Sequence, residues 1–382
     1  METNEFNWSD KRTIGMEIEL QLVDSNTLDL ANAILPLMEH YNDNIYIKPE
    51  FIQCSVEVMS KICRNIQELE WNLRSLVCDL HKKCKDLGIT LSGAGTHPFH
   101  NGLAVITPIP RYLGIEKRVG YACYNYITFS MHVHVGMSSG EEMIALMNRL
   151  RPYIPVLLAL SASSPFWRGH DTGHVSYRHR VLATARTYGL PPLFENWENF
   201  CTFFKAARYA GIYNTFRDYH WDLRPRPDFG TLEIRMMDSQ PTVGEAIALA
   251  AFAQSLIEYL KSNYEEGEEH LLKPLPLWIE QENRYRASQH GLAAMYVEDE
   301  SGNSRPILDI AENILNSIKE TADNLGVSQE LAGIAEILSN GPSYIRQRNV
   351  YGETGSYKAV VSCIASELES EIEEFNLGQV GM

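Results

Sequence analysis

The sequence has no basic surplus: 33 lysines and arginines face 49 aspartates and glutamates, a formal charge of −16 over 382 residues. Proteins that bind nucleic acid ordinarily carry a basic patch or stripe, so no nucleic-acid partner is expected. The seven cysteines (Cys54, Cys63, Cys78, Cys84, Cys123, Cys201, Cys363) are odd in number and include no CxxC pair. That excludes a disulfide framework and a zinc ribbon as expectations and points to a reducing, cytoplasmic setting. The opening METNEFNWSDKRTIG has no apolar run after its charges, so no secretory signal is expected. The apolar run Ile154 to Ala162 falls short of the roughly 20 residues that cross a bilayer, so no membrane partner is expected. Walker loops, GxSxG elbows, internal repeats and Pro/Ser linkers are also missing. One domain over residues 1–382 is the expectation, with a helical C-terminal part.

What is present is an alternation of short strand patterns with helices. Ile14 to Val23, Ile52 to Met59, Ile89 to Gly95, Tyr126 to Met137 and Thr231 to Met237 read as strands. Asn65 to Leu87 reads as a helix stopped by Gly88, and Glu141 to Ser161 as a helix kinked or divided by Pro152 and Pro155. Thr242 to Ser262 reads as a long apolar helix, and from Ile307 the chain reads as helical apart from a break at Gly341–Pro342. The pattern predicts an α+β protein with a mainly antiparallel sheet.

Four strands carry the chemistry. Side chains alternate across a strand, so Glu17, Glu19 and Gln21 share one face and Met16, Ile18, Leu20 and Leu22 the other. The same division puts Glu57 with Ser55 and Gln53, His132 with His134, and Glu233 with Arg235. A single such strand is ordinary, its charges facing water. Four of them bearing Glu, His and Arg with almost no Lys point instead to a cleft for a hard cation. Arg224 and Arg226 fall in a proline-punctuated stretch read as a loop. Arg111, Arg168, Arg178, Arg346 and Arg348 read as lying in similar loops, and guanidinium forks suit carboxylate or phosphate.

GMEIELQLVD (15–24), PEFIQCSVEVMSKIC (49–63), GTHPF (95–99), HVHVGM (132–137), SPFWRGHDTG (164–173), FGTLEIRMMDSQPT (229–242), NRYRASQHGL (283–292) and QRNVYGETGS (347–356), with RY at 111–112, occur in this order. On these blocks the chain resembles the carboxylate–amine ligase branch of the glutamate–cysteine ligase family, the type 2 enzymes. The resemblance implies a glutamine-synthetase-like fold, a curved, mainly antiparallel sheet forming a funnel backed by helices. It implies ATP and Mg2+, activation of a glutamate γ-carboxylate as an acyl phosphate, attack by an amine such as cysteine, and a homodimer. By motif, Glu17, Glu19, Glu57, His134 and Glu233 are implied as metal ligands, with Glu50 a further candidate and His132 a strand neighbour. Arg235, Glu233 and Glu57 are implied as catalytic, and Arg224, Arg226, Arg111, Arg168, Arg178 and Arg348 as substrate or nucleotide binders. Gln53 stands where more distant relatives carry a Glu, which leaves the metal count open.

Two other readings stay open. A zinc hydrolase would use His132 and His134 with acidic ligands, although zinc favours His and Cys over a carboxylate-dominated set. A family member that binds glutamate-like ligands without turnover would keep the same residues.

Overall fold

In the computed structural model, which describes residues 6–9, 13–42, 44–263 and 272–380, seven strands form one sheet. They are β1 (Ile14–Asp24), β2 (Ile47–Pro49), β3 (Ser55–Met59), β4 (Ile89–Ser92), β5 (Met131–Gly136), β10 (Leu223–Arg226) and β11 (Thr231–Ile234). Between β5 and β10 the chain adds two small pairs: the hairpin of β6 (Phe166–Trp167) and β7 (His170–Asp171), and the parallel pair of β8 (Tyr188–Gly189) and β9 (His220–Trp221). The main sheet runs β10-β11-β5-β1-β3-β2, with β4 also on β1, and each pairing is antiparallel. The expected α+β class and antiparallel sheet are what the chain forms.

The apolar face of the sheet makes the core. Met16, Ile18, Leu20 and Leu22 of β1, Val56 and Val58 of β3, Met131, Val133 and Val135 of β5, and Leu232 and Ile234 of β11 join one buried cluster with the helices behind them. Each such side chain contributes about 1.5–3 kcal/mol by leaving water. The helix Ile66–Asp86 presents Ile66, Leu69, Leu73, Val77 and Leu80 to that cluster. Asn65 caps it by accepting from the Glu68 amide at 2.8 Å, and Gly88 follows it at φ +69. The expected division at the prolines is present: Gly140–Leu150 and Ile154–Leu160 flank a 3-10 turn, Arg151–Tyr153.

Some boundaries differ from the sequence reading. Gly140–Leu160 and Val243–Ser262 are each long and apolar enough to cross a bilayer by length and composition, which the run at Ile154–Ala162 alone did not suggest. Most of both stretches is buried inside the protein, packing the sheet and its neighbours. Strand β11 stops at Ile234 rather than Met237 because the next backbone groups have other partners: the Arg235 amide donates to Asp222 O at 2.8 Å, and Arg178 and His179 take the carbonyls that follow. Strand β3 begins at Ser55 rather than Ile52, since Ile52 bridges Ile106 instead. Strand β5 spans Met131–Gly136 rather than Tyr126–Met137, since the preceding residues turn and the Phe129 amide bonds Gly95 O. The C-terminal region is helical as expected, with a further break at Gly326, φ +71. All seven cysteines are free.

Candidate active site

Register brings the polar residues of the four strands together. Residues directly opposed in antiparallel strands point to one face. Glu57 opposes Glu19, Glu17 opposes His132, His134 opposes Glu233, and Glu233 opposes Arg224. This face is not a wet surface: Glu233 is fully buried, and His132, His134, Arg224 and Arg226 are buried with it. Burying charge is costly unless it is paired and hydrogen-bonded.

At the β5–β11 end every acid has a cation or imidazole. Arg224 forks onto Glu233, Nε to Oε2 at 2.6 Å and Nη2 to Oε1 at 2.8 Å. Arg235 Nη1 also donates to Glu233 Oε1, and Arg226 Nη1 lies 3.6 Å from Oε2. Burial pushes the Glu233 carboxyl up, but Arg224, Arg235 and His134 outweigh it and hold it well below the ordinary range. His132 donates from Nδ1 to Glu17 Oε2 at 2.9 Å, and its Nε2 faces Ser130 Oγ at 2.9 Å. Burial and the neighbouring Arg235 press its pKa down to about 4, so it stays neutral. Burial raises the Glu17 carboxyl, yet contacts with His132 and His134 prevail and hold it well below the usual value.

His134 is different. Its Nδ1 is fixed by Thr231 Oγ1 at 3.0 Å, while Nε2 is buried and has no hydrogen-bond partner among the described residues. That atom lies 3.3 Å from Glu17 Oε1 and 3.7 Å from Glu233 Oε1. One donor atom from each of Glu17, His134 and Glu233 falls within 4.8 Å of the others. Two carboxylates with an orphaned imidazole nitrogen are a donor set that fits a divalent cation.

The β1–β3 end has acids that form no ion pair among the described residues. Ser130 N donates to Glu19 Oε2 at 2.6 Å. Burial, then the charge of Glu50, push Glu19 up to about 8 against the opposing Arg178. Burial, then Glu17, Glu50 and Glu19, drive Glu57 well above the carboxylate range. Among the described residues, no ion pair reaches Glu19, Glu50 or Glu57.

The arginines divide differently from the sequence reading. Arg224 and Arg226 lie on strand β10, not in a loop, because β10 is the sheet's edge, where Pro225 is tolerated. Both are engaged: Arg224 holds Glu233, and Arg226 forks onto Asp228 at 2.9 and 2.8 Å. Arg178 is in a short helix and donates to the carbonyls of Met236 and Arg235 at 3.1 and 3.2 Å, so it positions the chain after β11. Arg346 and Arg348 are in the helix Ser343–Thr354, not loops; Arg346 bridges Glu245 and Glu367, and Arg348 forks onto Asp171. Arg111 is exposed in the first turn of the helix Pro110–Val119. Arg168 does lie in a turn, between β6 and β7, outside this group.

The sequence reading missed Ser130 and Thr231, each two residues before a named site residue on the same strand face. The period-two rule, extended by one step, would have found both. Gln53 donates to Ile106 O at 3.2 Å.

Glutamate-cysteine ligase family 2 matches residues 13–362 of the chain. A protein named "Putative glutamate--cysteine ligase 2" from Trichormus variabilis is 51% identical over 370 residues, covering 96% of this chain and 95% of that one. A protein of the same name from Thermobifida fusca is 35% identical over 375 residues, covering 96% and 94%. The crystal structure of glutamate–cysteine ligase from Francisella tularensis in complex with AMP superposes with a TM-score of 0.67 at 14% identity, over 97% of this chain and 90% of that one. At that identity the likeness is one of fold.

Proposed function

The chain belongs to glutamate-cysteine ligase family 2 and is a ligase that forms a carbon–nitrogen bond, and from that premise we propose that it activates a carboxylate with ATP. The acid is the γ-carboxylate of glutamate or a close analogue. Its oxygen attacks the γ-phosphorus of ATP, ADP leaves, and an acyl phosphate results. An amine then attacks the acyl carbon, phosphate departs, and the nitrogen loses a proton to leave an amide. A carboxylate is a poor acyl donor, and the mixed anhydride removes that obstacle without a nucleophilic Ser or Cys.

The observation that carries this reading is the orphaned His134 Nε2 between Glu17 and Glu233, with the Arg235 guanidinium beside it. Glu17, His134 and Glu233 would hold magnesium, with Glu19 and Glu57 as the neighbouring carboxylates for a further ion. When bound, such an ion supplies charge neutralisation for phosphoryl transfer. Arg235 stabilises charge on the transferring group, and Arg224 and Arg226 keep Glu233 ionised and fixed. Nucleotide binding is supported by the Francisella enzyme, which was crystallised with AMP. The hydrolase alternative needs both histidines as ligands, and it loses support because His132 already engages Glu17 and Ser130.

The test is phosphate release from ATP and magnesium with glutamate, screened against a panel of amines that includes cysteine. Amine-dependent release with the amide seen by mass spectrometry is the expected result. Saturable nucleotide binding without release across the panel would leave a binding protein, and no nucleotide binding would sink the reading.

A further inference from the structure

Arg235, assigned above to the transferring group, lies one step outside the sheet ladder. Strand β11 makes its last pairs at Ile234, with Leu223 of β10 and Val133 of β5. Beyond that point the backbone needs other partners, because buried amides and carbonyls left unpaired are costly. The Arg235 amide donates to Asp222 O at 2.8 Å. Arg178 Nη2 donates to the Arg235 carbonyl at 3.2 Å, and Met236 O accepts from Arg178 Nη1 at 3.1 Å and from His179 Nε2 at 2.7 Å. The arginine is thus hung between two segments outside the main sheet: Asp222, just after β9, and the short helix Arg178–Leu182.

One side chain ties those two segments to each other. Arg284, on the helix Leu277–His290, forks onto Asp222, Nε to Oδ2 at 2.6 Å and Nη2 to Oδ1 at 2.9 Å. The same Nη2 donates to His179 Nδ1 at 3.0 Å, and Tyr188 Oη donates to that nitrogen at 2.6 Å. The guanidinium lies 5.0 Å from the Tyr188 ring centroid. A ring nitrogen that accepts from two donors carries no hydrogen, so the His179 hydrogen is on Nε2, where Met236 O takes it. Burial, with Arg284 and Arg178 beside it, holds this imidazole well below its usual pKa and keeps it neutral. Asp222 and His179 are buried, and the Arg284 side chain is only 13% exposed. A buried ion pair is a weak source of net stability, but the planar fork of an arginine fixes direction.

We propose that Arg284 is a positioning residue for the reaction: by locking Asp222 to His179 it sets where the Arg235 guanidinium stands beside Glu233, a proposal that rests on the ligase reading above. Arg284 acts through Arg235 and touches no substrate. Lysine in its place keeps the charge and loses the fork, because a compact ammonium does not match both carboxylate oxygens and the imidazole from one plane.

The test is a double-mutant cycle on the full chain with ATP, magnesium, glutamate and the amine found active in the screen. Arg284→Lys lowers kcat about 10- to 100-fold, the scale of a displacement of about 1 Å at a reacting centre, and leaves the KM for each substrate in place. In the Arg235→Ala background the same substitution lowers kcat no further, because the group it positions is gone. An equal fold-loss in both backgrounds means a general loosening of the fold and overturns the proposal. A raised KM at unchanged kcat makes Arg284 a substrate contact and overturns it too, as does an unchanged kcat. If Arg284→Lys does not fold, Tyr188→Phe carries the same cycle, since it removes one donor from His179 and no charge. Its smaller loss must also vanish in the Arg235→Ala background.

A wild type silent with every amine sinks the ligase reading instead. The positioning is then read from the Nε–H resonance of Arg235 in a nitrogen-15 spectrum, identified by its loss in Arg235→Lys. In Arg284→Lys that resonance shifts or broadens, while the resonance of Arg74, in the helix Ile66–Asp86, stays in place. An unmoved Arg235 resonance, or one that moves together with that of Arg74, overturns the proposal.

Discussion

At the β5–β11 end of the polar sheet face, Glu233 is wholly buried and meets Arg224, Arg226 and Arg235. At the β1–β3 end, Glu19 and Glu57 oppose each other in register; after burial, Glu50 acts most strongly on Glu19, against Arg178, while Glu17, Glu50 and Glu19 act on Glu57. Both ends are built from the same residue type on the same sheet. The first gives each ionised acid a donor within the protein. The second holds acids whose folded-state titration is raised by burial and like charge, so they keep protons that a cation from outside would displace. The first end fixes geometry and leaves one imidazole nitrogen, His134 Nε2, for a cation, and the second is arranged to accept further positive charge.

The largest expected effect breaks the β5–β11 end. Arg224→Ala leaves Glu233 buried with its bidentate partner gone, and chemical denaturation should show a loss of about 3–5 kcal/mol. The double variant Arg224→Ala/Glu233→Ala should recover part of that loss, because the uncompensated charge is then removed with its partner. An Arg224→Ala protein as stable as wild type would mean that Glu233 is matched by Arg226 and Arg235 alone.

Arg235→Ala tests the same end for chemistry. Turnover with ATP should fall by about two or more orders of magnitude, the scale of removing a preorganised donor from a charge-developing centre. Stability should fall less than in Arg224→Ala, since the Arg224 fork remains. Wild-type turnover in this variant would reassign Arg235 to a structural role.

Thr231→Val removes the hydroxyl that fixes His134 Nδ1. Loss of such an orienting contact costs about 10- to 100-fold in metal affinity, so the magnesium concentration for half-maximal turnover should rise by that factor while the fold is kept. An unchanged magnesium dependence would detach His134 from the cation.

How much of this was legible beforehand follows from the range over which each signal acts. Alternation along β1, β5 and β11 is a local rule, and it placed Glu17, Glu19, His132, His134, Glu233 and Arg235 on polar faces without knowledge of the fold. The pairing of Glu57 with Glu19, or of His134 with Glu233, depends on register between distant segments, which no local pattern carries. The arginines show the limit most clearly. Proline at 225 reads as a loop signal, yet at a sheet edge it sits within a strand, and Arg224 becomes the partner of Glu233. Arg178 reads as a ligand binder, yet its donors meet the carbonyls of Arg235 and Met236. An arginine's role depends on what the fold sets before it.

The smallest expected effect belongs to the acidic end. Glu57 stands directly opposite Glu19, and burial and its acidic neighbours keep it protonated near neutral pH, so an amide replaces a neutral carboxyl there. Glu57→Gln should therefore leave the metal-free protein as stable as wild type, while magnesium-dependent turnover falls. The pH dependence distinguishes this from a neutral surface change. Glu19 is raised from its ordinary 4.5 to about 8 on folding, so the folded state binds its proton more tightly than the unfolded chain does. The stability this contributes is complete below about pH 4.5 and is lost as pH rises through about 8. Metal-free protein should then unfold at lower denaturant at pH 8.5 than at pH 6, apart from effects elsewhere, and Glu19→Gln should flatten that difference. Because a carboxylate must lose its proton to bind a cation, magnesium should stabilise the wild type most at pH 8.5 and release protons on binding near neutral pH. A slope that Glu19→Gln leaves unchanged would locate the titrating group elsewhere. The two ends of the face would then differ in their partners but not in their readiness for a metal ion.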